Sequence, residues 1–164
     1  NSLTFNLRLP KSKYEAHLMT YNPETWISKN SKKVNVIIFH IESTKNPEEI
    51  IKLIKSKRKK VGIALNPETS IDKVKEYIKI IDKILIMTVH PGMYGAQFIQ
   101  ETLDKVKQLR KLYPKLNIEV DGGINPNTIK QAQNAGANSF VIGSYLQNSE
   151  NPKDAINNLK KLLR

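Results

Sequence analysis

At 164 residues the chain has the size of one ordinary domain with one sizeable core, and it falls well short of the roughly 250 residues of a typical complete eight-fold β/α barrel. It has no cysteine, which excludes a disulfide framework and thiolate chemistry and suits a reducing, cytoplasmic setting. The formal net charge is +12, but the lysines fall on the polar faces of helical segments with little aromatic interleaving, and no apolar run nears the roughly 18 residues of a membrane span, so neither nucleic acid nor membrane is the expected partner.

Along the chain one unit repeats. A short apolar run at 14–19 contains His17 and Met19 and is followed by Asn22-Pro23-Glu24-Thr25. The run 34–41 precedes Asn46-Pro47-Glu48-Glu49, and 61–65 precedes Asn66-Pro67-Glu68-Thr69. The run 84–89 leads into a glycine-containing loop, 118–120 into Asn125-Pro126-Asn127-Thr128, and 140–142 into Asn151-Pro152-Lys153-Asp154. Asn can cap free N–H groups, proline at the first helical position has no N–H to leave unpaired, and an acid in the first turn suits the helix dipole. The runs are mostly continuously apolar and partly β-branched, as strands buried on both faces are. Between them lie helical faces: Ile50, Leu53 and Ile54; Val74, Tyr77, Ile78 and Ile81; Leu103, Val106 and Leu109; Ile156, Leu159 and Leu163.

Six strand–helix units imply a parallel sheet with right-handed crossovers. A doubly wound sheet and a barrel both fit that alternation. Polar or glycine features end nearly every strand, and this favours a ring of strands over a single crevice. The expected fold is an α/β, TIM (β/α)8-type barrel with about six βα units, in one domain over 1–164.

Four segments can carry chemistry. Val120-Asp121-Gly122-Gly123-Ile124 places a carboxylate at the end of a buried strand, before two glycines. Asp121 can hold a metal or move a proton, and the glycine backbone can approach a phosphate; as Asp-Gly it can equally just form a turn. His17 can be a metal ligand or a satisfied structural histidine. The segment Thr88-Val89-His90-Pro91-Gly92-Met93-Tyr94-Gly95-Ala96-Gln97-Phe98 is a long glycine-containing loop that can close over an anion or act as a lid. Gly143-Ser144, on the next strand end after Asp121, can add backbone donors and a hydroxyl. His40 and Glu42 share a face by period two; they can lie near the site, and a structural role is favoured.

Together, Glu15-Ala16-His17-Leu18-Met19, Phe39-His40-Ile41-Glu42, Gly62-Ile63-Ala64-Leu65-Asn66-Pro67, Met87-Thr88-Val89-His90-Pro91-Gly92, Val120-Asp121-Gly122-Gly123-Ile124 and Gly143-Ser144 resemble the ribulose-phosphate 3-epimerase family over essentially the whole chain. The resemblance implies metal-dependent epimerisation at C3 of a ketose phosphate, D-ribulose 5-phosphate to D-xylulose 5-phosphate. Two acids work on opposite faces of the sugar, through an enediolate. It implies a divalent ion (Zn, Fe, Mn or Co) held by two His and two Asp, of which His17 and Asp121 are present, with Asp121 catalytic. Met19 and Met87 would cushion the intermediate, and Gly92, Gly95, Gly122, Gly123, Gly143 and Ser144 would hold the phosphate.

The family's first two βα units, with the other His and Asp, have no counterpart here, and Asn1-Ser2-Leu3-Thr4-Phe5 resembles the segment after its second strand. Tyr94 stands where family members commonly have glycine. The isolated chain is therefore expected to be inactive and, with open sheet edges, to form a homo-oligomer. A non-catalytic phosphosugar-binding barrel and a ketohexose-6-phosphate 3-epimerase are the alternatives. The chain starts at Asn1 rather than Met, so a targeting segment upstream stays open.

Overall fold

Six parallel strands carry the architecture, and the computed structural model describes residues 12–92 and 96–164. They are β1 (Glu15–Leu18), β2 (Val36–His40), β3 (Lys60–Leu65), β4 (Lys83–Met87), β5 (Ile118–Asp121) and β6 (Ser139–Val141). Each pairs only with its neighbour in the chain, in the order β1-β2-β3-β4-β5-β6. Helices α1 (Pro23–Asn30), α2 (Pro47–Ser56), α3 (Leu103–Leu112), α4 (Ile129–Ala135), α5 (Ser144–Gln147) and α6 (Pro152–Leu162) fill most of the connections. No described helix is long and apolar enough to cross a membrane.

The sheet curls into an arc of a barrel, and side-chain contacts prove the curvature. β1 and β5 stand four places apart, which in a flat sheet is about 19 Å. Yet His17 Nδ1 on β1 lies 3.1 Å from Asp121 Oδ2 on β5. Alternation then sorts the strand residues into two cores. Ile37, Phe39, Ile63, Leu65, Ile84, Ile86, Ile118 and Val120 face the helices. Val36, Ile38, Ala64, Leu85, Met87 and Val89 fill the concave side. Helix α2 shows how the outer layer is held: Ile50, Ile51 and Ile54 are all buried, each contributing about 1.5–3 kcal/mol by leaving water.

All six expected strands are present, but the helix signals were not all fulfilled. Asn151 caps α6 by accepting from the Lys153 and Asp154 N–H groups. Asn125 instead accepts from the Asn127 N–H in a turn ahead of α4. Asn22 takes a left-handed conformation, and neither it nor Asn46 makes a side-chain cap; proline supplies the start on its own. After Asn66-Pro67 no α-helix forms. The apolar face at 74–81 is served by two 3₁₀ turns, Ile71–Val74 and Ile78–Ile80, because a three-residue apolar spacing suits both helix types. In α6, Ala155 and Leu159 face the core while Ile156 is exposed.

The barrel floor holds charge where apolar residues are the rule. Lys83 Nζ lies 2.6 Å from Glu15 Oε2 and 2.5 Å from Glu119 Oε2, and Ser139 Oγ donates to Glu119 at 2.6 Å. Four strands are thereby tied together. Gly62 on β3 makes room: a Cβ there would meet Ile38 Cγ1 at 2.7 Å and Lys83 Cγ at 3.0 Å. Burial would lower the Lys83 pKa, but its two carboxylate partners outweigh that and raise it.

Candidate active site

The strand ends opposite this floor open onto a cleft of about 420 Å³. Asp121 ends β5 on its wall, followed by Gly122 and Gly123, with Gly143 and Ser144 beyond β6 and Met87 from β4. Met19 and Gly92 also line it, though Met19 is 54% exposed. Of the residues expected at the site, His17 lies outside the cleft lining, in contact with Asp121, and Gly95 lies outside the described residues.

The Asp-Gly-Gly turn is built by its neighbours. The Thr88 N–H donates to Asp121 O at 2.8 Å and its hydroxyl to Gly122 O at 2.6 Å. The Thr128 hydroxyl donates to Gly123 O at 2.8 Å. In a trans peptide the carbonyl and the next N–H point opposite ways. The N–H groups of Gly122 and Gly123 are therefore directed away from Thr88. Gly122 has φ +118°, and a Cβ there would sit 2.3 Å from Val89 Cγ2. Gly123 has φ +64°, with the Phe98 backbone 3.2 Å from where its Cβ would be. Both positions therefore demand glycine. At Gly143 a Cβ would meet nothing within 4 Å.

Behind Asp121 runs a row of polar contacts. His17 Nδ1 faces Asp121 Oδ2 at 3.1 Å, His17 Nε2 faces His40 Nε2 at 2.8 Å, and His40 Nδ1 faces Glu42 Oε2 at 3.3 Å. The imidazole planes lie 13° apart, and 2.8 Å is hydrogen-bond distance, too close for face-to-face stacking. Burial would raise the Glu42 carboxyl, but hydrogen bonds from His40, Thr69 and the Asn66 backbone outweigh it and hold it at about 2. The period-two placement of His40 and Glu42 at a strand end allowed a place near the site, but a structural role was favoured. Thr88 and Thr128 lie in the glycine-loop and helix-start segments, but nothing in the sequence assigned a role to their hydroxyls.

Three contacts need three hydrogens, and two neutral imidazoles supply two. Between His17 Nδ1 and Asp121 Oδ2 the row accepts a third proton or a cation. This nitrogen and oxygen suit a divalent ion. They make only part of a ligand set, because no group of three or more His, Cys, Asp or Glu among the described residues is placed to hold a metal.

A sequence model of the ribulose-phosphate 3-epimerase family matches residues 6–147. The chain belongs to the ribulose-phosphate 3-epimerase family. The ribulose-phosphate 3-epimerase of Buchnera aphidicola is 43% identical over 155 residues, covering 92% of this chain and 68% of its own length. That of Eremothecium gossypii is 38% identical over 156 residues, covering 94% and 65%. A rice relative, named as the cytoplasmic isoform, is 39% identical and covered to 68%. The chain thus spans about 65% of the Eremothecium epimerase. Among solved structures, KGPDC from Streptococcus mutans superposes with a TM-score of 0.72 at 15% identity, covering 94% of this chain and 73% of that one. Orotidine 5'-monophosphate decarboxylase from Sulfolobus solfataricus gives 0.69 at 19%, covering 91% and 72%. These two likenesses concern the fold, and they agree with a barrel arc of six of the eight expected units.

Proposed function

We propose that this chain carries the phosphate-binding side and one acid of a ketose-phosphate 3-epimerase site, acting on D-ribulose 5-phosphate and D-xylulose 5-phosphate. The observation that carries the reading is Asp121: it stands on the cleft wall, against His17 Nδ1, and is joined to a glycine turn. The C3 proton goes to the Asp121 carboxylate and returns from it. His17 Nδ1 stands 3.1 Å behind that carboxylate and shares a third proton or a cation with it. The N–H groups of Gly122 and Gly123, turned away from Thr88, and Ser144 bind the phosphate. Met19 and Met87 supply apolar wall against the sugar. A divalent ion, when bound, would be held from this chain by His17 and Asp121 and would stabilise negative charge developing on the sugar oxygens.

A second reading, phosphosugar binding without turnover, is favoured by one fact. Among the described residues lining the cleft, Asp121 is the sole carboxylate. One experiment separates the two. The chain is incubated in heavy water with added divalent ion and each pentulose phosphate, and the C3 hydrogen is followed by NMR. A single acid reaches one face of C3, so it exchanges hydrogen in one epimer without inverting it. The expected result is deuterium at C3 of one epimer only, lost in Asp121→Asn. No exchange in either epimer would leave the binding reading, and exchange that survives Asp121→Asn would remove Asp121 from the chemistry. Inversion by the 164-residue chain would show a second acid.

A further inference from the structure

The row of contacts behind Asp121 has a direction, and Glu42 sets it. We propose that His40, held by Glu42, is the positioning residue for His17: it accepts the His17 Nε2–H and so turns Nδ1 toward Asp121. This rests on the reading of His17 and Asp121 as the working pair of the site.

Glu42 is anchored through Oε1, which accepts the Asn66 backbone N–H at 2.9 Å and leaves Oε2 to His40. A carboxylate can only accept, so His40 Nδ1 must donate. A neutral imidazole that donates through Nδ1 accepts through Nε2. Among the described residues the partner of His40 Nε2 is His17 Nε2, at 2.8 Å, so His17 must donate there. His40 cannot swing away: it is 6% exposed, and the Ser43 hydroxyl ties its carbonyl at 2.7 Å. The outcome at His17 is a ring orientation fixed at one nitrogen, with the other presented to Asp121 and to any cation beside it. Outer partners that fix a ligand histidine in this way typically change metal affinity by about 10–100-fold when removed.

A histidine that merely fills the core would predict none of this, and imidazole nitrogen NMR separates the two. The sequence has three histidines, so the ¹⁵N-labelled chain gives a sparse spectrum, with His90→Asn identifying the third. In the wild-type chain without metal, His17 Nε2 and His40 Nδ1 are expected to carry protons. In Glu42→Leu and His40→Leu the His17 Nε2–H signal should broaden or vanish, and zinc affinity by calorimetry should fall about 10–100-fold. His40→Gln, whose side-chain oxygen can accept the same hydrogen, should recover most of the loss. An unprotonated His17 Nε2 in the wild-type chain overturns the proposal before any variant is made. Unchanged His17 signals in a folded His40→Leu chain also overturn it. If the wild-type chain takes up no zinc, the cation reading of His17 and Asp121 fails, while the imidazole signals still decide the role of His40.

Discussion

The concave side of this arc carries two polar clusters, one at each end of the same strands, and they are finished differently. At the floor, Lys83 is clasped by Glu15 and Glu119, and Ser139 completes Glu119. At the mouth, Asp121, His17, His40 and Glu42 stand in a row that lacks one hydrogen or one cation. A buried charge that is fully partnered holds strands together. A row left one positive charge short is a place for something to bind. The difference separates the end that ties the strands together from the end that carries the proposed site.

Breaking the floor has the largest expected effect. Lys83→Ala strands Glu119, whose side chain is 5% exposed, so stability in denaturant should fall by about 3–5 kcal/mol. The double change Lys83→Met with Glu119→Leu should restore most of it. Next come the glycines of the mouth. Gly122→Ala faces both a positive φ and the Val89 side chain, so a loss of about 2–4 kcal/mol is expected. Gly143→Ala meets nothing and should change stability by less than about 0.5 kcal/mol, yet weaken inorganic phosphate binding in a competition titration.

The two clusters should also fail at opposite pH. Glu42 titrates lower in the fold than in the unfolded chain, so its contribution is full above its ordinary value of 4.5 and lost as pH falls toward about 2. Solvent screening of this partly exposed group reduces the effect to about 1–2 kcal/mol. Lys83 titrates higher in the fold, so its contribution is full below 10.5 and lost as pH rises beyond it. Glu42→Gln should flatten the acid limb of a stability–pH curve and leave the alkaline limb; the double change Lys83→Met with Glu119→Leu, which strands no buried carboxylate, should flatten the alkaline limb and leave the Glu42 acid limb. The smallest test concerns the outer strands: among the described residues β1 and β6 each pair on one side only. Association detectable by size-exclusion is expected, and a clean monomer would count against it.

The strands and the Asp-Gly-Gly turn were legible in the sequence because each is a local pattern: an apolar run, or a carboxylate before two residues that need unusual backbone angles. Lys83 was not legible, since a lysine beginning a strand looks like surface until Glu15 and Glu119 close on it from 68 and 36 residues away. His40 was read as structural because its partner His17 lies on another strand, 23 residues away. The apolar spacing at 74–81 misled because it fits 3₁₀ turns as well as an α-helix.

The strictly sequential strand order has a consequence for how such a gene can change. Every strand is added beside the one before it, with no crossing over earlier ones. A βα unit gained or lost at either end of the arc therefore leaves the remaining register intact, and what remains still carries Asp121 with its threonine supports. The arc can be lengthened, shortened or joined to another at its ends without rethreading the chain, so duplication and fusion are open to it in a way they are not to folds whose strands interleave.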